Sequence, residues 1–407
     1  MKSLNAFIFS LLLLVLFPPD CAAASDRNDI IQFHGFLSQG YLDSSDNNFL
    51  ADSEEGTWHF NEIGLNLNGR INHQLRYGAQ ILSRSMGDYG NNTVRLDWGL
   101  IDYHLQDWAG LRIGKVKIPM GFYNTERDSD FLRPMIFLPQ SIYDETRRDN
   151  WLAHWGGEIY GTVATESAGD FDYQLFYGRV KYDDDSVVHD ATLISINKRL
   201  EDNRNAPVPD PTLPARINNC DQDNEYLYGA SLVYAPPIDN LRLGISYVSQ
   251  KDTGYGDGTE IGTYKTNSNF VLSLEYIWRE FILRTEYGEN DRTQTLLDVT
   301  TFDGPNQSWY AMLSYALTEQ LTLSVLYDEY YRDKHNKTSS IHASGRINTT
   351  PWRKDWGFGI RYDVNEHWTL KGEWHTVDGV AQLQEFFNQD GTKRYWQYGA
   401  LKISFNF

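Results

Sequence analysis

The chain has 407 residues, with 36 basic against 55 acidic side chains, a net charge of −19, a pI near 4.9 and a mean hydropathy of −0.52. That length admits one large domain or two to three small ones. So acidic a balance argues against nucleic acid as a partner, because no basic face is available to neutralise phosphates.

The first stretch reads as a secretion address: Lys2 supplies a positive end, residues 6–17 an apolar run, and Ala22, Ala23 and Ala24 a small-residue cleavage site. Cleavage is expected after Ala24, leaving 25–407 as one mature domain. Cys21 leaves with the signal, which strands Cys220 and removes any disulfide framework. Beyond it, no run approaches the roughly 20 apolar residues of a spanning helix. A transmembrane barrel needs none, because only alternate residues meet lipid, and an aromatic content of 14% suits its interfacial girdles.

From residue 31 the dominant signal has period two. Ile31, Phe33 and Leu37 alternate with polar neighbours, then Ile63, Leu65 and Leu67, then Leu75, Tyr77, Ala79 and Ile81. Val94, Leu96, Trp98 and Leu100 follow, then Leu111 and Ile113, Ile159 and Val163, Phe171 to Tyr177, and Tyr226 to Tyr234. Further runs begin at Leu241, Phe270, Phe281, Trp309, Leu321, Trp356 and Trp368. The last, Tyr395 to Phe407, sets Gly399, Leu401, Ile403, Phe405 and Phe407 on one face against Tyr398, Ala400, Lys402, Ser404 and Asn406 on the other.

Sixteen runs result, and their connections alternate short and long. Short turns lie near Gly69 and at 107–110, 167–170, 236–240, 279–280, 318–320 and 365–367; long ones span 43–55, 85–92, 119–153, 181–223, 251–267, 290–306, 331–354 and 378–394. A soluble sandwich has no reason to gather its long loops at one end. The expected fold is therefore an all-β transmembrane antiparallel barrel of about 16 strands, with short periplasmic turns, long extracellular loops and no open sheet edge. Residues 192–196 form either an extra hairpin, which would make 18 strands, or a short helix.

A barrel of this size encloses a water-filled bore, and the third long connection is suited to narrow it. Phe131, Leu132, Met135, Ile136, Phe137 and Leu138 need burial, against the inner wall or a subunit neighbour. Arg127, Asp128, Asp130, Arg133, Asp144, Glu145, Arg147 and Arg148 bring both signs of charge to the same loop, a composition suited to an ion-selecting constriction. Inward positions on the wall offer Arg76, Arg84, Arg95, Arg284, Arg361, Lys371 and Lys402, with acids at Glu62, Asp97, Glu275, Glu286 and Glu373. Lys115 and Lys117 join them if a bulge at Gly114 restores an alternation that slips between Ile113 and Val116. The expectation is a basic wall opposite an acidic loop.

The final strand, ending on Tyr398, Phe405 and Phe407, resembles the closing strand of bacterial outer-membrane barrels, which the barrel-assembly machinery reads. In layout the mature chain resembles the general trimeric porins, whose third loop constricts the lumen. The stretch RIGKVKIPMGFYN, running into FLRPMIFLPQSIYDE, resembles the phosphate-selective porin O and P family and its dicarboxylate-porin-like relatives. The resemblance implies an outer membrane of a Gram-negative bacterium, a homotrimer in contact with lipid and lipopolysaccharide, and passive, anion-biased passage of small polar solutes. No lysine cluster matches the family's phosphate site, and no arginine ladder aligns with it. No cofactor is expected.

Two other classes stand beside the channel. A membrane hydrolase would need a catalytic constellation, but there is no G-x-S-x-G elbow and no H-E-x-x-H metal motif. His367 and His375 are placed on the lipid-facing parity, and His34 and His154 are isolated. A surface receptor or adhesin would use its loops. Acidic stretches at 43–55, 183–185 and 221–223 could meet divalent cations at a lipopolysaccharide surface, or simply be solvated. Single-channel conductance separates these classes.

Overall fold

A computed structural model describes residues 31–407 except 51, 88, 166, 183–186, 339–349, 385–386 and 389–390. The secretion address and the acidic run at 183–185 lie outside the described residues.

Sixteen strands follow in order: β1 (Ile31–Ser44), β2 (Phe60–Arg70), β3 (Leu75–Met86), β4 (Val94–Gln106), β5 (Ala109–Lys117), β6 (Ala153–Thr165), β7 (Gly169–Arg179) and β8 (Cys220–Ala235). The second half comprises β9 (Leu241–Gly256), β10 (Thr259–Trp278), β11 (Phe281–Leu296), β12 (Val299–Ala316), β13 (Leu321–Tyr331), β14 (Trp352–Asp363), β15 (Trp368–Gly379) and β16 (Tyr395–Asn406). Each strand pairs antiparallel with its sequence neighbours, and β16 returns to β1 to close a barrel. The seam sets Leu37 opposite Phe405 and Tyr41 opposite Leu401. Phe407 extends it by exchanging backbone hydrogen bonds with Gly35 at 3.0 and 3.1 Å, and its ring lies where a side chain on residue 35 would begin. Closure leaves no unpaired edge, which a lipid environment could not satisfy.

Alternation sorts the wall. On β14, Trp356, Phe358, Ile360 and Tyr362 are exposed on the outer face, whereas Arg353 and Asp355 are buried on the inner one. The same sorting corrects one expectation. On β15, Leu370 and Trp374 face outward, so His375 shares the inner face with Lys371 and Glu373 and is buried. His367 lies outside the strand, in the short turn before Trp368, with its ring exposed.

A second correction concerns the slip in alternation. The β5 ladders run unbroken through Gly114, which pairs with Leu100 and Gly156 despite a φ of +139°. The bulge lies one strand earlier. Gln80 pairs with Trp98 and Ile81 with Leu96, leaving Asp97 as the extra residue. Asp97 and Trp98 therefore both turn inward, and the apparent run from Val94 to Leu100 changes face in its middle. Lys115, opposite the exposed Trp155, keeps the outward parity and donates to the Leu96 carbonyl at 2.6 Å.

Two long connections are also shorter than expected. β9 and β10 continue to a turn at Asp257 and Gly258, and β11 and β12 to one at Leu297 and Asp298, with positive φ at all four residues. Paired left-handed residues are what a two-residue hairpin turn requires. Residues 192–196 fall within a helix, Val187–Arg204, so the barrel keeps sixteen strands. No helix of the described residues is long and apolar enough to cross a membrane.

The core sits inside the barrel, between the wall and the third loop. Met135, Ile136, Phe137 and Leu138 are all buried, and Phe137 stacks on Phe60 with ring centroids 5.5 Å apart. Each such side chain withdrawn from water contributes roughly 1.5–3 kcal/mol. Leu132 stays half exposed, so the apolar run of this loop is not buried throughout.

Candidate functional site: the third loop and the cavity above it

The loop leaves β5 at Ile118 and returns at Ala153 with no strand of its own, only three 3-10 turns and one helical turn, Arg148–Trp151. Its two ends are stapled by one side chain. The Asn124 amide donates to the Ile118 carbonyl at 2.9 Å and to the Trp151 carbonyl at 2.7 Å.

From that staple the loop reaches three parts of the wall. Toward β3 and β4, Arg84 pairs with Glu145 at 2.7 Å and Asp149 at 3.1 Å, while Arg148 forks onto both oxygens of Asp97 at 3.0 Å. The β4 bulge makes this docking possible, because the adjacent Trp98 indole donates to Asp128 at 3.1 Å. Lys117 closes on the same Asp128 at 2.7 Å, and Arg95 lies 3.9 Å from Asp149. Toward β10 and β11, Glu286 accepts from the Phe122 backbone N–H at 2.8 Å and from the Tyr143 hydroxyl at 2.6 Å. Glu275 beside it accepts from Tyr123 at 2.8 Å and from Arg284 at 3.0 Å.

Toward the closing strands the contacts are densest. Asp130 sits among Lys371 at 3.2 Å, Lys402 at 3.3 Å and Arg133 at 3.0 Å, and its other partner is the Ser404 hydroxyl at 2.6 Å. Burial opposes the charge on Asp130, yet the Lys371, Lys402 and Arg133 cations hold its carboxyl well below the usual carboxylate range. Lys402 is shared with Glu62. Arg361 donates to the carbonyls of Phe131 at 2.6 Å and Arg133 at 3.1 Å. Glu373 accepts from the Ile136 N–H at 2.8 Å, and Asp328 from the Ser141 N–H at 3.0 Å. Behind them Arg353 bridges Asp328 and Asp355, and the His375 ring donates to the Asp355 carboxylate at 2.9 Å and stacks on Tyr398. Tyr398 thus belongs to the buried inner network, on the opposite face from Phe405 and Phe407.

The sequence-named residues therefore separate into two groups. Asp128, Asp130, Arg133, Glu145 and Arg148 are buried and tied, as are the wall cations Arg84, Lys371 and Lys402. Glu145, flanked by Arg127, Arg84 and Arg148, is held well below the carboxylate range although burial works against its charge. Arg127 turns back to the Tyr143 and Asp144 carbonyls at 2.9 and 2.7 Å. Arg76 is exposed, and Lys115 faces away from the bore. Loop acids meet wall cations at Arg84, Lys371 and Lys402, whereas the loop base Arg148 meets the wall acid Asp97, so these charges are matched with one another rather than displayed to solvent.

Open space lies beyond the loop, beside β10 and β11. One cavity of about 390 Å³ and another of about 540 Å³ share Arg147, Trp151, Arg292 and Arg332 in their linings. Arg127 and Asp144 also border the first. Arg292, Arg332, Asp328, Arg353 and Asp355 escaped sequence reasoning. Asp328 and Asp355 continue the inner parity of β13 and β14, whereas Arg292, Arg332 and Arg353 lay in stretches read as loop.

No protein-family model matches this chain, and no curated protein sequence matches it either. Solved structures do. Outer-membrane expressed OmpT of Vibrio cholerae superposes with a TM-score of 0.55 at 11% identity, over 93% of this chain and 97% of that one. OmpF of Salmonella typhi, solved in complex with daunomycin, gives 0.54 at 14% identity, over 94% and 99%. An anion-selective porin from Comamonas acidovorans gives 0.53 at 11% identity, over 93% and 99%. At such identities the shared property is the fold: this chain has the porin-type barrel.

Proposed function

We propose that the chain is an outer-membrane porin of a Gram-negative bacterium, exported through a cleaved signal peptide, through which small hydrophilic solutes or ions diffuse passively. The observation that carries this reading is a closed sixteen-strand barrel with an apolar outer belt, whose third loop lies inside the bore beside open cavities. Short turns then face the periplasm and long loops the exterior. The local likeness of residues 112–145 to the phosphate-selective porin O and P family adds a homotrimer in contact with lipid and lipopolysaccharide, and the likeness of the final strand to the closing strand of outer-membrane barrels adds assembly by the barrel machinery. Bias toward anions rests on Arg147, Arg292 and Arg332 beside the open space, since the wall lysines are matched by acids.

Purified protein in planar bilayers tests this directly. Stable conductance steps with a reversal potential favouring anions are expected in a salt gradient; a cation preference would sink the bias, and silence the channel. One observation favours a second reading. The loop is fastened to three parts of the wall, which suits a barrel whose outer loops act as a surface receptor. That reading expects no stable open level.

A further inference from the structure

The larger cavity has a floor made by the wall itself. There β9, β10 and β11 carry two rows of inward polar side chains, Gln250, Thr266 and Arg292 in one and Asp252, Tyr264 and Gln294 in the other, each row paired directly across the three strands. A register shift in β10 just after Thr266 turns this stretch inward, because lower down the even positions Leu272 and Tyr276 face out. All of the six but Thr266 line the cavity. Two of them are buried with an unmet polar atom. Gln250 is 2% exposed, and its amide N–H donates to Asp252 at 3.2 Å, which fixes the orientation of the amide and leaves its carbonyl oxygen without a donor among the described residues. Arg292 is 8% exposed, and its Nε–H has no acceptor there.

The formal charges around this floor come close to balance. Besides His189, the two cavities are bordered by Arg147, Arg292 and Arg332 and by Asp144, Asp221, Asp252 and Glu289. Glu289 pairs with Lys334 at 2.6 Å, so the other three acids match the three arginines. The polarity of the unmet atoms then selects among solutes. An anion brings acceptors only and leaves the Gln250 carbonyl unmet; a cation brings donors only and leaves the Arg292 Nε–H unmet. A hydroxyl group does both, and a buried group left unmet is costly. A neutral solute also sheds its water at less cost than an ion. Trp151 is the aromatic residue that both linings share, a surface suited to the C–H face of a sugar ring and of no use to water. Pockets of roughly 300–1,000 Å³ hold small organic ligands, and the larger cavity is about 540 Å³. Anions in passage meet the arginines, but a solute that lodges here must satisfy Gln250 as well.

We propose that this floor binds a neutral sugar, with hydroxyls donating to the Gln250 carbonyl and accepting from the Arg292 Nε–H, and with the ring against Trp151. The inference rests on the porin reading for its biological sense, as a resting place for one class of solute, but its test does not.

Three sugars of one ring size and different charge decide it: glucose, glucuronate and glucosamine. Each is titrated against the full-length protein in a detergent without a sugar headgroup, with saturation-transfer NMR as the readout. Glucose is expected to bind at least about fivefold more tightly than either charged relative, and Gln250→Leu or Arg292→Met to weaken it about fivefold, the loss of one hydrogen bond. The two variants should also differ in kind. Gln250→Leu should close the gap to glucuronate and Arg292→Met the gap to glucosamine, which a general loosening of the wall would not do. Either charged sugar binding the native chain as tightly as glucose, no glucose binding at all, or glucose affinity unmoved by both variants would each overturn the proposal. Should one variant fail to fold, seen as loss of heat-modifiable gel mobility, the other variant and the three-sugar contrast on the native chain still decide. Conductance measured on the same preparations keeps the two readings apart. Conduction without glucose binding overturns only the site, and binding without conduction overturns only the channel.

Discussion

Two sides of the bore carry the same kinds of residue to opposite ends. Against β13 to β16 the loop is buried and its charges are paired: Lys371, Lys402, Arg353 and Arg361 each meet a carboxylate or a loop carbonyl. Beside β10 and β11, Arg147, Arg292 and Arg332 border open space. The contrast teaches that a count of inward cations says little about what a lumen offers a solute. On one side the charges fasten a loop; on the other they remain available.

The strongest way to break that contrast is at Asp130. Asp130→Asn leaves Lys371, Lys402 and Arg133 buried around a neutral amide, and removing one partner of a buried ionic cluster costs about 3–5 kcal/mol. The expected result is a lower urea midpoint in detergent together with larger conductance steps, as the loop comes away from the closing strands. An unchanged midpoint would mean the cluster is not a fastener. Arg148→Met comes next, at about 3 kcal/mol, because Asp97 is left buried but keeps its hydrogen bond from Gln80 at 2.9 Å. Its urea midpoint should therefore fall less than that of Asp130→Asn.

Acid should act in the same place. Asp130 and Glu145 have folded-state values held below those of a free carboxylate, so the stability they contribute is complete above about pH 5 and disappears as pH falls through the depressed values. The gap in urea midpoint between the native chain and Asp130→Asn should be constant from pH 7 to 5 and close only well below pH 4. A decline between pH 7 and 5 would point to some other group. The smallest effect on stability belongs to Arg147→Gln, within about 0.5 kcal/mol, as for other partly exposed sites. The same variant should nonetheless move the reversal potential toward cations, which Arg148→Met should do less.

How much of this was legible depends on where each residue stands. Within the wall, one apolar face per strand must be kept, so alternation located all sixteen strands and the seven short turns. Above it both faces of a hairpin are wet, alternation disappears, and the continuations of β9 to β12 looked like loop; Arg292 was lost with them. At Asp97 the extra residue leaves a pattern of apolar, charged, apolar that reads as uninterrupted, so nothing local marks the change of face. His375 was a different matter: Trp368, Leu370 and Trp374 already define the outer parity of β15, and counting from them places the imidazole inside. The partners of the loop charges were not legible at all, because Asp130 and Lys402 are 272 positions apart in the chain (402 less 130) and meet only once the barrel has closed.

The three attachments of the loop fall on β4, β11 and β15, well spread around a ring of sixteen. A hollow tube of sheet yields easily to squeezing from the side, since hydrogen-bonded strands hinge about one another at little cost. Here any flattening of the circular section would have to pull Arg148 off Asp97, or the Phe122 and Ile136 amides off Glu286 and Glu373. The loop is thus a spoke as well as an obstruction, and the lateral pressure of a bilayer would be borne across the interior rather than by the wall alone.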